Sequence, residues 1–376
     1  MSSTVFKKFI DLAKYLIRQI LILLVNFGAI KKINSQVTYI AEKESWAIYW
    51  EGVGISEHIN QKFATPFMVV TSKVYKVRSP IIHFGSQYMW EIWKDLLPKN
   101  SKIIVNFFHG KFEDGLDVAR HISVFISNYE KIEKIIVSNS ISYHRLIEWG
   151  IPLEKILKIY IGVDTKLFSS NNSETKLRAR KRLGFNENDF IIGSFQKDGI
   201  GWKNGDTPKL IKGPDILIES ICIVSKTRDV KLLLTGPARG YVMNGFEKAG
   251  VNFKHFRTDD YLEMPDFYKA LDLYLITSRE EGGPKGLIEA LACCIPVVST
   301  PVGMSVDLLP GLASCRLTHG FDSSEIAKNI IELMDINDLT VSFNNFKATI
   351  GKVDYSTISH EYFSKVYSPL QSVGIK

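Results

Sequence analysis

The chain has 376 residues, 45% of them hydrophobic and 23% charged, which excludes a disordered, collagenous or polytopic membrane protein and suits two domains of ordinary size. Of its net charge of +7, five units fall in the first 35 residues, where Lys7, Lys8, Lys14, Arg18, Lys31 and Lys32 meet Asp11 alone. The body is therefore nearly neutral, unlike a general nucleic-acid binder, whose basic excess runs along the folded surface.

At the amino terminus Phe6, Phe9, Ile10, Ala13, Leu16, Ile17, Ile20, Leu21 and Leu24 recur at three- and four-residue spacing, opposite Lys7, Asp11, Lys14 and Arg18. The pattern predicts an amphipathic helix with a basic stripe. Its apolar run from Ile20 to Ile30, broken by Asn26, is about half of what a bilayer span requires. Lys14 and Arg18 interrupt the centre that a signal peptide would need. The leading expectation is a helix lying on an anionic membrane surface through residues 5–25; a helix packed on the protein's own core is the alternative.

After Asn34 short β-branched or aromatic runs alternate with helical stretches. Strands are predicted at 46–50, 68–72, 81–84, 102–108, 134–138 and 157–161, then at 190–195, 230–234, 253–257, 271–277 and 296–300. Apolar strands separated by helices mean parallel, doubly wound sheets. Two such series predict an α/β chain of two Rossmann-like domains with a cleft between them. The expected division is 1–35 for the basic helix, 36–168 for the first domain, completed by a helix in 355–376, and 169–354 for the second. The polar run Ser169–Lys176 reads as the linker. Cys222, Cys293, Cys294 and Cys315 contain no C-x-x-C pair, which points to reduced thiols in a cytoplasmic protein.

Ligands of open α/β sheets bind at the carboxyl ends of strands. After the predicted strand 271–277 comes Ser278-Arg279-Glu280-Glu281-Gly282-Gly283-Pro284-Lys285-Gly286-Leu287-Ile288-Glu289. Glycines allow close approach to the backbone, and the helix opening near Pro284 offers unpaired N–H groups to an anion. Carboxylates repel a phosphate, but they accept strongly from sugar hydroxyls.

From Ser278 through Ile295-Pro296-Val297-Val298-Ser299-Thr300-Pro301, with Glu281 and Glu289 eight apart, the chain resembles the retaining nucleotide-sugar glycosyltransferases of family 4, which have the GT-B fold. Gly162-Val163-Asp164, Lys212-Gly213-Pro214-Asp215 and, more weakly, Phe107-Phe108-His109-Gly110 extend the likeness over roughly residues 100 to 305. The resemblance implies Glu281 and His109 at the transferred sugar, Glu289 at the ribose, and Lys212 at the diphosphate. Gly282, Gly283 and Lys285 fall in the same motif, and Gly193 in the first strand of the second domain. The family's arginine is replaced by Ser194; Lys197, backed by Lys203, is the nearest substitute, without the bidentate fork of arginine. The glycine-rich segment 197–212 reads equally as a flap over the donor or as a surface insertion. Cys294 stands where the family has a helix-closing glycine, and Ile161 where it has asparagine before Gly162.

The implied activity is metal-independent, cofactor-free transfer of a sugar to a glycan or lipid-linked acceptor of the cell surface, with retained configuration, at the inner face of the cell membrane. Epimerase or phosphorylase chemistry on the same fold, and a degenerate sugar-binding scaffold, are the alternatives. In the first domain Glu51-Gly52-Val53-Gly54 reads as a turn after a strand, either an acceptor-side loop or a plain structural turn, and lacks the third glycine of a dinucleotide fingerprint. Phe84, Tyr88, Trp90, Trp93 and Phe107 are candidates to line an acceptor cleft or to fill the core.

Overall fold

The computed structural model describes residues 3–44, 47–201, 203–258, 260–336 and 343–371. Two six-stranded sheets organise it, and every pairing within them is parallel. The first holds β1 (Val37–Ile40), β2 (Met68–Thr71), β3 (Ile81–Phe84), β4 (Lys102–Asn106), β5 (Lys134–Val137) and β6 (Ile156–Lys158), in the order β2-β1-β3-β4-β5-β6. The second holds β7 (Ile191–Phe195), β8 (Lys231–Thr235), β9 (Phe253–Phe256), β10 (Leu273–Ile276), β11 (Val297–Ser299) and β12 (Arg316–Leu317), in the order β12-β11-β10-β7-β8-β9.

Each sheet is apolar on both faces. Along β4, Ile103 and Val105 join Phe84, Trp90 and Phe125 on one side. Ile104 joins Val37 and Tyr39 on the other, where Tyr355, Ile358, Tyr362 and Tyr367 of the carboxyl-terminal segment also pack. The chain thus returns to the first sheet after completing the second. Trp90, Phe84 and Phe107 are core residues, whereas Tyr88 is partly exposed.

Two expectations fail here. Residues 47–50 are helical, within Ala47–Asn60, and Trp46 lies outside the described residues. Gly52 and Gly54 are close-packing positions in that helix, not a turn. A Cβ at Gly52 would lie 2.5 Å from the Tyr39 ring, and one at Gly54 2.4 Å from the Tyr355 ring. The edge-adjacent strand β1, unforeseen, supplies the run that precedes this helix.

The helix Lys285–Ala292 ends with Cys294 in the left-handed region, φ 60°. The missing glycine therefore leaves its backbone conformation behind, at a steric cost that cysteine must bear. The amino-terminal helix, Ser3–Asn26, is held at its end by Arg78, which donates to Asn26 Oδ1 at 2.6 Å. Arg18 stacks over Trp93 at 5.3 Å. Phe9, Leu12, Leu16, Ile20, Leu23 and Phe27 of this segment are exposed along one stripe.

Candidate active site

The carboxyl ends of the strands in both sheets face a cleft containing two adjoining cavities, of about 430 and 500 Å³. The first is bounded by Trp50, Phe195, Tyr261, Tyr268, Glu289 and the helix start Pro284-Lys285-Gly286. The second is bounded by Glu42, Ser86, Gln87, Tyr88, His109 and Lys209. Gln196, Lys197, Lys212, Glu281 and Gly283 line both.

At that shared boundary the Lys212 ammonium donates to Glu281 Oε1 at 2.6 Å, and the Ser278 hydroxyl donates to the same oxygen at 2.8 Å. Burial alone would raise the Glu281 carboxyl, but Lys212, helped by His109 and Ser278, outweighs it and holds the group below its ordinary value. Burial and then Lys212 push His109 down, so its imidazole is neutral near pH 7. Gln87 fixes that strand end, donating to the His109 carbonyl at 3.0 Å and accepting from Phe108 N–H at 3.1 Å.

The Lys212 position is set by backbone. Gly213, at φ 61°, caps the helix Pro214–Ser225, and its carbonyl accepts from the Thr277 hydroxyl at 2.9 Å. A Cβ there would sit 1.9 Å from the Thr277 carbonyl oxygen. Arg279 grips Asp215 through two bonds of 2.8 and 2.6 Å and the Leu210 carbonyl at 2.7 Å, tying the Glu281 loop to the Lys212 turn.

Glu289, buried, accepts from the Tyr268 hydroxyl at 2.7 Å on one oxygen and from the Tyr261 hydroxyl on the other. Burial and then Glu289 drive both phenols well above their ordinary value, so they remain donors. Each carboxylate oxygen keeps a further lone pair for a neutral hydroxyl.

Several contacts join the two layers around the cleft. Asn139 Nδ2 donates to the Gly282 carbonyl at 2.5 Å, and Arg145 makes a two-bond pair with Glu280 at 2.5 and 3.2 Å. Asp307 accepts from Ser140 N–H at 2.9 Å, and Lys285 donates to the Tyr355 hydroxyl at 2.8 Å. Glu51 closes the last cluster, accepting from Gly162 N–H at 3.1 Å and lying 3.7 Å from the Lys285 ammonium.

The structure brings Glu281, His109, Lys212, Lys197, Glu289 and Gly283 to the cavities, with Gly282 packed under the Phe108 carbonyl at their edge. Two expected binding residues, Gly193 and Lys203, lie outside the cavities, and a third, Lys285, reaches one only in part. Gly193 lies inside β7 against Leu271, where a Cβ would meet its side chain at 2.3 Å, so it is a packing residue beneath the cleft. Lys203 is exposed and lines neither cavity. Lys285 borders the first cavity, but its ammonium is committed to Gly162, Tyr355 and Glu51 at the junction. Lys209, Trp50, Tyr261 and the Arg145–Glu280 pair were not found by sequence reasoning. Only Glu280 carried a signal, as the unexplained neighbour of Glu281.

Residues 205–335 match the family model described as glycosyl transferases group 1. The lipopolysaccharide core biosynthesis mannosyltransferase LpsB of Rhizobium meliloti is 30% identical over 159 residues, 40% of this chain and 42% of that protein. A GDP-mannose-dependent monoacylated phosphatidylinositol monomannoside mannosyltransferase of Corynebacterium glutamicum is 28% identical over 184 residues, 46% and 45% of the two chains. The matches thus span under half the length of these relatives. Among solved structures, Anabaena HepE in complex with UDP and glucose aligns with a TM-score of 0.69 at 17% identity, over 89% of this chain and all of that one. A glycosyltransferase from Rickettsia africae aligns equally well, at 14% identity over 92% of this chain and all of that one. Two parallel sheets facing across a cleft are the GT-B fold, and the stretch from 205 to 335 belongs within it to the glycosyl transferases group 1 family.

Proposed function

We propose that the chain transfers a sugar from a nucleotide-sugar to a glycan or lipid-linked acceptor, with retained anomeric configuration and without a metal. The observation that carries this is the Lys212–Glu281 pair at the meeting of two cavities, each of a size to hold one part of a donor. The nucleoside lies in the first cavity, its ribose hydroxyls on Glu289 and its base beside Trp50. The sugar lies in the second, against Glu281 and His109, with the acceptor approaching past Ser86, Gln87 and Tyr88. The diphosphate bridges the boundary at Lys212 and Lys197.

Breaking the sugar–phosphate bond leaves positive charge on the ring and negative charge on the diphosphate. A carboxylate at the ring, ammoniums at the phosphate and the N–H groups of the helix after Pro284 meet those charges where they develop. The acceptor oxygen attacks on the face from which the diphosphate departs, and its proton passes to the leaving phosphate oxygen. No covalent bond to the protein forms; isolating a glycosyl adduct on Glu281 would overturn that step.

Acceptors at the membrane suit both the names of the relatives, a lipopolysaccharide core mannosyltransferase and a mannosyltransferase of an acylated inositol lipid, and the exposed apolar stripe of the amino-terminal helix. No helix among the described residues is long and apolar enough to cross a membrane. In this reading the helix lies on the inner leaflet, with the exposed Lys14 toward anionic headgroups while Arg18 stays on Trp93. The test is a panel of UDP-, GDP- and ADP-sugars with membrane glycolipid extracts. Acceptor-dependent release of nucleoside diphosphate, with an axial or equatorial product linkage matching the donor's, supports the reading; release without any glycosylated product contradicts it.

A further inference from the structure

Within the segment 197–212, expected to be a flap or an insertion, the described residues on either side of residue 202 pair with each other. Lys209 N–H donates to the Asp198 carbonyl at 2.7 Å, Ile200 N–H to the Thr207 carbonyl at 2.9 Å, and Gly199 pairs antiparallel with Pro208. These bonds make a hairpin whose two ends lie side by side. Its far part is seated on the start of the helix Gly240–Ala249, where Gly240 N–H donates to the Asn204 carbonyl at 2.6 Å and Tyr241 N–H to the Gly205 carbonyl at 3.1 Å. Gly205, at φ 79°, lies so close to Ala238 that a Cβ would stand 2.3 Å from its carbonyl oxygen.

Beneath the hairpin sits Arg239, fully buried. Its guanidinium donates to the carbonyls of Ser194, Gln196 and Thr235 at 2.6, 3.1 and 2.9 Å, and lies 3.1 Å from the equally buried Asp198 carboxylate. The arginine charge is therefore spent inside the protein, at the ends of β7 and β8, and does not reach a ligand. Lys212 is likewise engaged, by Glu281. Lys209 differs. It lines the second cavity beside Lys197, Lys212 and His109, and no described residue bonds its ammonium. Burial and the neighbouring Lys212 and Lys197 ammoniums disfavour its charge more than the nearby Glu281 carboxylate offsets, so an arriving anion would relieve it.

We propose that Lys209 grips the sugar-linked phosphate of the donor, taking the place of the arginine absent at Ser194, and that the Asp198–Arg239 pair is the brace that sets it there. The inference rests on the donor-site reading above and adds to it a residue outside its motifs. Position decides which phosphate: Lys209 borders only the sugar-side cavity, so it meets the phosphate nearer the sugar and leaves the nucleoside-side phosphate to Lys197 and Lys212.

The test measures binding of UDP, GDP, UMP and GMP to the full chain by calorimetry, for wild type, Lys209→Met, Lys209→Arg, Asp198→Asn and a Lys248→Met surface control. Lys209→Met is expected to weaken the diphosphate that wild type prefers by about tenfold or more, the weight of one charge-assisted bond, while its monophosphate binds unchanged. Lys209→Arg should restore most of that loss, and Asp198→Asn should show the same diphosphate-selective defect. Equal weakening of mono- and diphosphate in Lys209→Met, or no weakening, overturns the proposal. A wild-type chain that binds none of the four nucleotides overturns the donor-site reading itself, and this proposal with it.

Discussion

Trp50, on the helix that covers the first sheet, stacks on Tyr261 of the second layer with ring centres 5.0 Å apart and planes 24° from parallel. The same Tyr261 donates its hydroxyl to Glu289. One aromatic pair thus links the relative position of the two sheets to the carboxylate assigned to the ribose.

Removing the stack should be felt at the nucleotide before it is felt in the fold. Trp50→Ala loses an aromatic pair worth about 0.5–1.5 kcal/mol beyond its buried area. The expected result is a donor KM raised several-fold with a melting temperature lowered by only about a few degrees, read by steady-state kinetics and calorimetric scanning. A melting temperature that falls while KM stays fixed would make Trp50 a packing residue only.

The acid side of the activity profile follows from two directions of shift. Glu281 is held below its ordinary 4.5 by Lys212 against the effect of burial, so its charge is present above that pH and lost as pH falls through the lowered value. His109 is held below its ordinary 6.5 by burial and Lys212, so it stays neutral in the folded chain where a free histidine would take a proton. The profile of kcat/KM should therefore show no step in the ordinary histidine range. A step near pH 6.5 that vanishes in His109→Gln would show the imidazole to be exposed and charged in the working enzyme.

Gly213 tests the placement of Lys212 without touching its charge. At φ 61° and 1.9 Å from the Thr277 carbonyl oxygen, an added methyl group forces the turn to move. Gly213→Ala should cost about a hundredfold in kcat, of the order seen when a preorganised donor is lost, with donor affinity falling less. Wild-type rates in a folded Gly213→Ala variant would mean that the position of Lys212 does not matter.

The exposed stripe of the amino-terminal helix predicts its own assay. Leu16→Glu with Leu23→Glu places two carboxylates on that face, 49% and 50% exposed in the structure. Sedimentation with phosphatidylglycerol vesicles should fall to the level of neutral vesicles, while turnover of a soluble acceptor is unaffected. Unaltered sedimentation would remove the helix from the membrane.

Much of the fold was legible because parallel strands are apolar on both faces and announce themselves as short runs, as at Ile81–Phe84 and Ile191–Phe195. Residues 47–54 misled because a helix packed by glycines against Tyr39 and Tyr355 has the composition of a strand and a turn; the partners that explain those glycines are distant in sequence. The motif around Glu281 and Glu289 was readable since its residues follow one another along a single strand, turn and helix. Lys209, Arg239 and Trp50 were not. Each depends on a partner brought in by tertiary structure, and a lysine on a loop looks the same whether it faces solvent or a cavity. Gly193 lies near the motif's strand but is turned to packing, and Lys285 lines the cavity as expected while its ammonium goes to the domain junction.

The most direct test of the central claim is release of nucleoside diphosphate from the preferred donor by wild type, Glu281→Gln and Lys212→Met, each first shown to be folded by near-ultraviolet circular dichroism. The account predicts that both substitutions lower the rate by roughly 10²–10³-fold, since each removes a charge aimed at one end of the breaking bond. Either folded variant releasing the diphosphate at the wild-type rate would contradict it.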